Sequence, residues 1–260
     1  MEREGYLCGN CGASSRMRAV IHLLGKVLGE EGPTLFEWPS DKSVSILESS
    51  ARGPYPMMLA DKFDYVPTEY DPEKIRAADN AMKYADFQDL KFPDNSFDLV
   101  IASEVFEHVR DDIKGYREVL RVLKPGGALL LTVPYDHEME QTRKRVDTSG
   151  EEDVHLMEPE YHGGGGHTLA YRNYGRDLMN VLRDAGFAVC HYDLQNLSLG
   201  ITAQHAFVGR KGEYSEVRER YGAEASVSSL GPLLPFRLFL LLKYNMTGLL
   251  SFLKKLTGKQ

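Results

Sequence analysis

Phe97–Ala102 (FDLVIA), apolar but for Asp98, is a continuous run of the kind a parallel sheet buries on both faces. It is the clearest of four such runs. Val44–Leu47 and Tyr65–Thr68 precede it, and Ala128–Val133 follows. Helical spacing lies between and around them. Over Ala19–Leu28 one face carries Val20, Leu23, Leu24, Val27 and Leu28. Behind Asp111, read as an N-cap, Ile113, Tyr116, Leu120 and Leu123 fall on one face. Lys124-Pro-Gly-Gly127 is expected to end that helix, and Tyr174–Ala185 to form another before Gly186. Phe187–Tyr192 and Ala206–Val208 predict closing antiparallel strands. This alternation predicts an α/β, Rossmann-like fold with a mostly parallel central sheet and helices on both faces.

The chain of 260 residues suits one domain with an appendage. It divides into an N-terminal CxxC segment and helix (1–30), a main domain (31–212) and a tail (213–260). Residues 134–175 break the pattern. They are polar and rich in His and Gly, and read as an insertion over the carboxyl end of the sheet. The net charge of −7 argues against nucleic acid as a partner. From 231 to 260, however, Arg237, Lys243, Lys254, Lys255 and Lys259 stand without an acidic residue. With a leucine stripe beside them, they imply peripheral membrane contact or self-association. Three cysteines and an N-terminus without an apolar segment predict a cytoplasmic, reducing setting, with the inner membrane face reached through the tail.

Polar groups stand at the predicted strand ends, where open α/β sheets bind ligands. Glu48 ends the first strand. Glu69 ends the second, and its two oxygens suit the two hydroxyls of a ribose. Asp86 lies in a turn where it can accept from an adenine amino group, and Ser103 and Glu104 follow the third strand. His108 is the candidate base at the cleft, with His167 from the insertion. His155, His162 and His167, with Asp136, His137 and Asp153, form a dense set of imidazoles and carboxylates. Cys8-x-x-Cys11 has zinc-knuckle spacing but lacks a second pair, so it reads as a tight turn with two buried thiols. No metal is assigned.

Asp86–Val109 and Arg121-Val-Leu-Lys-Pro-Gly-Gly127 together resemble the middle and later motifs of class I S-adenosylmethionine-dependent methyltransferases of the UbiE-like, type 11 kind. The resemblance implies S-adenosylmethionine as cofactor. It implies contacts from Glu69 and Tyr70 to ribose, from Asp86 and the Phe87 backbone to adenine, and from Ser103 and Glu104 near the methionine. Glu48, Ser49, Ser50 and Gly53 then stand where the family has an acidic residue and a glycine-rich loop. This chain keeps only Gly53 of those glycines, displaced. Cys8–Ala19 and Tyr171-Arg-Asn-Tyr-Gly175 are similar to a bacterial subgroup of surface-glycan biosynthesis. That subgroup has a His where Ala170 stands here. The function expected is O-methylation of a saccharide or lipid-linked glycan. The alternatives are methylation of a small natural product and a catalytically inactive scaffold subunit.

Overall fold

The computed structural model describes residues 7–30, 34–78, 81–162 and 168–212. The tail and His167 lie outside the described residues. The chain builds helix α1 (Ser15–Leu28), strand β1 (Ser45–Ser49), helix α2 (Pro56–Lys62) and strand β2 (Asp64–Glu69). Helix α3 (Pro72–Ala77), strand β3 (Lys83–Tyr84) and strand β4 (Phe97–Ser103) follow. Helix α4 (Asp112–Val122), strand β5 (Leu123–Thr132), helix α5 (Leu178–Asp184) and strands β6 (Phe187–Asn196) and β7 (Ile201–Lys211) complete the fold. One seven-stranded sheet runs β3-β2-β1-β4-β5-β7-β6. β1 through β5 pair in parallel, and β7 and β6 close the edge antiparallel.

The expected elements form for the reasons read in the sequence, with three differences. α1 starts earlier than Ala19, because the Ser14 side chain accepts from the Met17 amide at 3.3 Å and Gly29 ends the helix at φ 77°. Asp111 caps α4 as expected, accepting from the Lys114 amide at 3.0 Å. The Lys124–Gly127 segment does not simply end that helix. α4 stops at Val122 and β5 begins at once with Leu123 opposite Phe97. The segment bulges before pairing resumes at Ala128 opposite Leu99, and a Cβ on Gly127 would lie 3.0 Å from the Asp98 carbonyl oxygen. Tyr174 is not helical. It bridges to Tyr135, and α5 starts at Leu178.

Alternate residues of the central strands feed two cores, as period-2 geometry demands. Leu47, Val100, Ala102, Leu129 and Leu131 pack with Tyr116 and Val119 of α4 and Leu178 and Leu182 of α5. Ile46, Leu99, Ile101 and Leu130 pack with Leu23 and Leu24 of α1 and Leu59 of α2. No helix among the described residues is long and apolar enough to cross a membrane.

Among its described residues the insertion forms antiparallel two-residue pairs. Arg143–Lys144 pairs with Arg172–Asn173, Val146–Asp147 with Val154–His155, and Tyr161–His162 with Thr168–Leu169. Arg172 fastens it to the domain. Its buried guanidinium donates to the carbonyls of Phe106 (3.0 Å), Val109 (2.6 Å) and Arg110 (2.8 Å), and faces Asp112 at 3.6 Å. The Tyr174 hydroxyl donates to the Asp112 carboxylate at 2.9 Å. Gly175 completes the segment, since a Cβ there would meet the Met139 carbonyl oxygen at 2.7 Å. The Arg-Asn-Tyr-Gly run is therefore a fastener between the insertion and the turn after β4. Arg172→Ala takes the guanidinium donor from the Val109 and Arg110 carbonyls, while the Phe106 carbonyl keeps the Tyr174 hydroxyl, and each buried orphan costs about 1–3 kcal/mol. Thermal unfolding should fall by roughly 4 °C or more, with Arg172→Lys in between. An alanine variant melting with the wild type would contradict this account.

Candidate active site

The carboxyl ends of β1, β2 and β4 converge at one edge of the sheet. The Ser50 amide donates to the Thr68 carbonyl at 2.8 Å, and the Thr68 hydroxyl donates to the Glu48 carbonyl at 3.0 Å. These bonds lock the loop after β1 to β2. Ser50 has φ 53° and Gly53 has φ 87°. The loop thus keeps left-handed backbone, with a serine at one of the two positions. Ser49 is buried at the end of β1.

Glu69 ends β2 and is 4% exposed. Its Oε1 accepts from the amides of Tyr70 (2.9 Å) and Asp71 (3.3 Å). Its Oε2 meets only longer contacts, the Ser50 hydroxyl at 3.4 Å and the Arg52 guanidinium at 3.7 Å. The carboxylate is thus oriented by backbone on one side and turned to the β1 loop on the other. Tyr70 and Tyr84 are exposed, with ring centroids 5.8 Å apart. Asp86 lies just beyond β3, and its Oδ1 accepts from the Gln88 amide at 2.8 Å. Phe87 is buried and meets Phe106 edge-on at 5.6 Å. At the end of β4, the Ser103 and Thr132 hydroxyls share a hydrogen bond of 2.8 Å. Glu104, at φ 56°, is paired with Arg16 at 3.2 Å.

Glu48 departs from the cofactor-contact expectation. It is buried, and both oxygens accept phenol donors, from Tyr55 and from Tyr65 at 2.6 Å. Its carboxylate therefore belongs to the core between α2 and β2. Burial pushes its pKa up to about 7, against the opposing pull of the two phenols.

His108 is largely buried on a 3-10 turn, Phe106–His108, beyond β4. Its Nδ1 lies 2.8 Å from the Leu169 carbonyl. A carbonyl only accepts, so Nδ1 carries the proton and Nε2 of the neutral ring holds the lone pair. Nε2 faces Glu107 Oε1 at 3.7 Å, and the His162 ring centroid is 4.6 Å away. Burial holds the imidazole pKa below its ordinary value, with the Leu169 carbonyl pulling the other way.

Among the described residues, the dense His and Asp set of the insertion does not assemble as one cluster. His162 joins His108, and His137 lies against His205 at 5.3 Å. Asp153 accepts from Arg110 at 2.7 Å, and His155 is exposed. Nor are the two N-terminal thiols buried. Cys8 is half-buried and Cys11 exposed, and amides of Cys11 and Asn10 bring the Cys8 thiol down to about 7. Sequence reading gave no role to Arg16, Arg172 or Tyr84, and passed over Glu107 beside His108 within Asp86–Val109. The signal for Glu107 was present, in a carboxylate directly before the candidate base. Tyr84 sits on a strand of two residues, too short for periodicity to reveal.

A sheet ordered 3-2-1-4-5 with polar groups on its carboxyl edge is the arrangement of nucleotide-binding doubly wound folds. Residues 51–131 match the family model for a methyltransferase domain. A stretch of 64 residues is 45% identical to a sterol 24-C-methyltransferase of Aspergillus fumigatus, covering 23% of this chain and 17% of that protein. A stretch of 124 residues is 33% identical to a ubiquinone/menaquinone biosynthesis C-methyltransferase of Pseudoalteromonas translucida, covering 45% and 48%. An S-adenosylmethionine-dependent methyltransferase from Mesorhizobium loti aligns over 76% of this chain and 98% of its own, with TM-score 0.48 and 16% identity. Over residues 51–131 and the stretches aligned with these relatives, the chain is similar to methyltransferases. It spans less than half the length of both curated relatives.

Glu48 makes stability depend on pH. Its folded pKa of about 7 exceeds the ordinary 4.5. Its contribution is then complete below about pH 4.5 and is lost as pH rises through 7, by up to about 3 kcal/mol. Glu48→Gln removes the titration. Between pH 5 and pH 8 the wild type should therefore lose thermal stability relative to the variant. Parallel melting profiles across that range would count against a raised Glu48.

Proposed function

We propose that this chain transfers the methyl group of S-adenosylmethionine to a hydroxyl of a polar acceptor, a saccharide or lipid-linked glycan, bound between the carboxyl edge of the sheet and the 135–174 insertion. The observation that carries the cofactor half is Glu69. Its Oε1 is fixed by two amides, and its Oε2 has only long contacts, which suits two ribose hydroxyls. Asp86 and the Phe87 backbone would hold the adenine, with the Tyr70 and Tyr84 rings beside it. Ser50 to Gly53 would receive the methionine end, and their left-handed backbone supports a binding loop over an inert scaffold.

When bound, S-adenosylmethionine supplies a methyl on sulfonium; the new O–CH3 bond forms as the S–CH3 bond breaks, and the hydroxyl proton is released. The protein's share is chiefly to hold the acceptor oxygen in line and to exclude water. The polar insertion and the Glu107–His108–His162 group favour a hydroxyl acceptor. Methylation at carbon is the second reading, favoured by the names of the sterol and quinone relatives.

Titration calorimetry with S-adenosylhomocysteine tests the cofactor half. The wild type should bind, and Glu69→Ala should bind roughly 10- to 100-fold more weakly while remaining folded, the loss of one or two charge-assisted hydrogen bonds. Absence of binding to folded wild type would reject the proposal. Transfer of labelled methyl to saccharide oxygen or to ring carbon then separates the two acceptor readings.

A further inference from the structure

Glu107, His108 and His162 meet beyond the end of β4, on the insertion side. One ligand atom from each lies within 4.8 Å of the other two. Glu107 is fully buried, His108 nearly so, and the His162 side chain is 32% exposed. The Tyr161–His162 and Thr168–Leu169 pair supplies both His162 and the carbonyl that holds His108 Nδ1. This one antiparallel pair therefore brings in a ligand and orients another.

We propose that these three side chains form a binding site for a divalent first-row transition metal. Two imidazole nitrogens and one carboxylate suit zinc, iron(II), cobalt or nickel; magnesium and calcium favour all-oxygen sets. The carboxylate brings negative charge into a buried place where a cation needs it. The Leu169 carbonyl on His108 Nδ1 is the outer contact that metal-bound histidines regularly make, and it points Nε2 at the group. Tetrahedral metal bonds of about 2.0–2.2 Å set neighbouring donors about 3.3–3.6 Å apart. The present separations require a contraction, and half-exposed His162 is the member with room to move. Three protein ligands leave a coordination position open, as in catalytic sites. In that position an acceptor hydroxyl would lose its proton more readily; this role alone rests on the methyl-transfer reading. His108 Nε2 then serves as ligand, not as base.

The test uses the full chain, stripped with chelator and titrated with cobalt(II) while the visible spectrum is followed. The expected result is one saturable equivalent without a thiolate charge-transfer band. His162→Ala and His108→Gln, each checked for folding by circular dichroism, should weaken binding at least tenfold. The double variant Cys8→Ser, Cys11→Ser should bind as wild type does. S-adenosylhomocysteine binding, measured apart by calorimetry, should be unchanged in His162→Ala. If it is absent from every variant while cobalt still binds, the methyl-transfer reading fails and the metal site stands. No saturable cobalt band, binding indifferent to both histidine substitutions, or binding lost only in the cysteine variant would overturn the proposal.

Discussion

Glu69 is the group around which the carboxyl edge of the sheet is organised. A carboxylate buried to 4% exposure must be given donors, and the chain supplies them from three directions. The amides of Tyr70 and Asp71 come from the turn into α3, the Ser50 hydroxyl from the loop after β1, and the Arg52 guanidinium from further along that loop. The backbone joins the same places, since Ser50 donates to Thr68 and Ala85 donates to the Glu69 carbonyl at 3.1 Å. The ends of β1, β2 and β3 are thereby held in fixed relation. That rigidity is what a nucleoside site needs, because orientation costs less when it is built before the ligand arrives.

A second set of contacts sets the opposite wall. Arg172 donates to three carbonyls around the turn after β4, and Tyr174 reaches Asp112 at the start of α4. This fastening, with Arg110 donating to Asp153 and to the Gly150 carbonyl, ties the insertion to that turn. The same turn bears Glu107 and His108, and the Tyr171 amide donates to the Glu107 carbonyl at 2.8 Å. Acceptor-side geometry is thus tied to the parallel sheet through a few buried polar bonds, not through a continuous apolar interface.

The sheet was legible because its strands are apolar runs separated by capped helices. Asp111 over α4 and the FDLVIA strand need no tertiary information. The ends of elements were less legible. Whether Lys124–Gly127 leaves a helix or begins a strand is decided by Phe97 opposite Leu123, a contact distant in sequence. Tyr174 follows an apolar helical pattern, yet its hydroxyl is required by Asp112 and its backbone by Pro134. At the site, Glu69 could be placed from a strand end and Asp86 from its turn. Glu48 could not, because its environment comes from Tyr55 and Tyr65 on separate elements. The missing glycines misled in a different way. Only Gly53 remained of the expected glycines, yet Ser50, tied at its amide and its side chain, adopts left-handed backbone.

The measurement closest to the central claim is a crystal structure of the chain grown with S-adenosylhomocysteine. The ribose hydroxyls should lie within about 3.2 Å of the Glu69 carboxylate, with the adenine edge at Asp86 and the homocysteine over Ser50–Gly53. A ligand bound elsewhere, or a Glu69 that makes no contact with the ribose, would contradict the account.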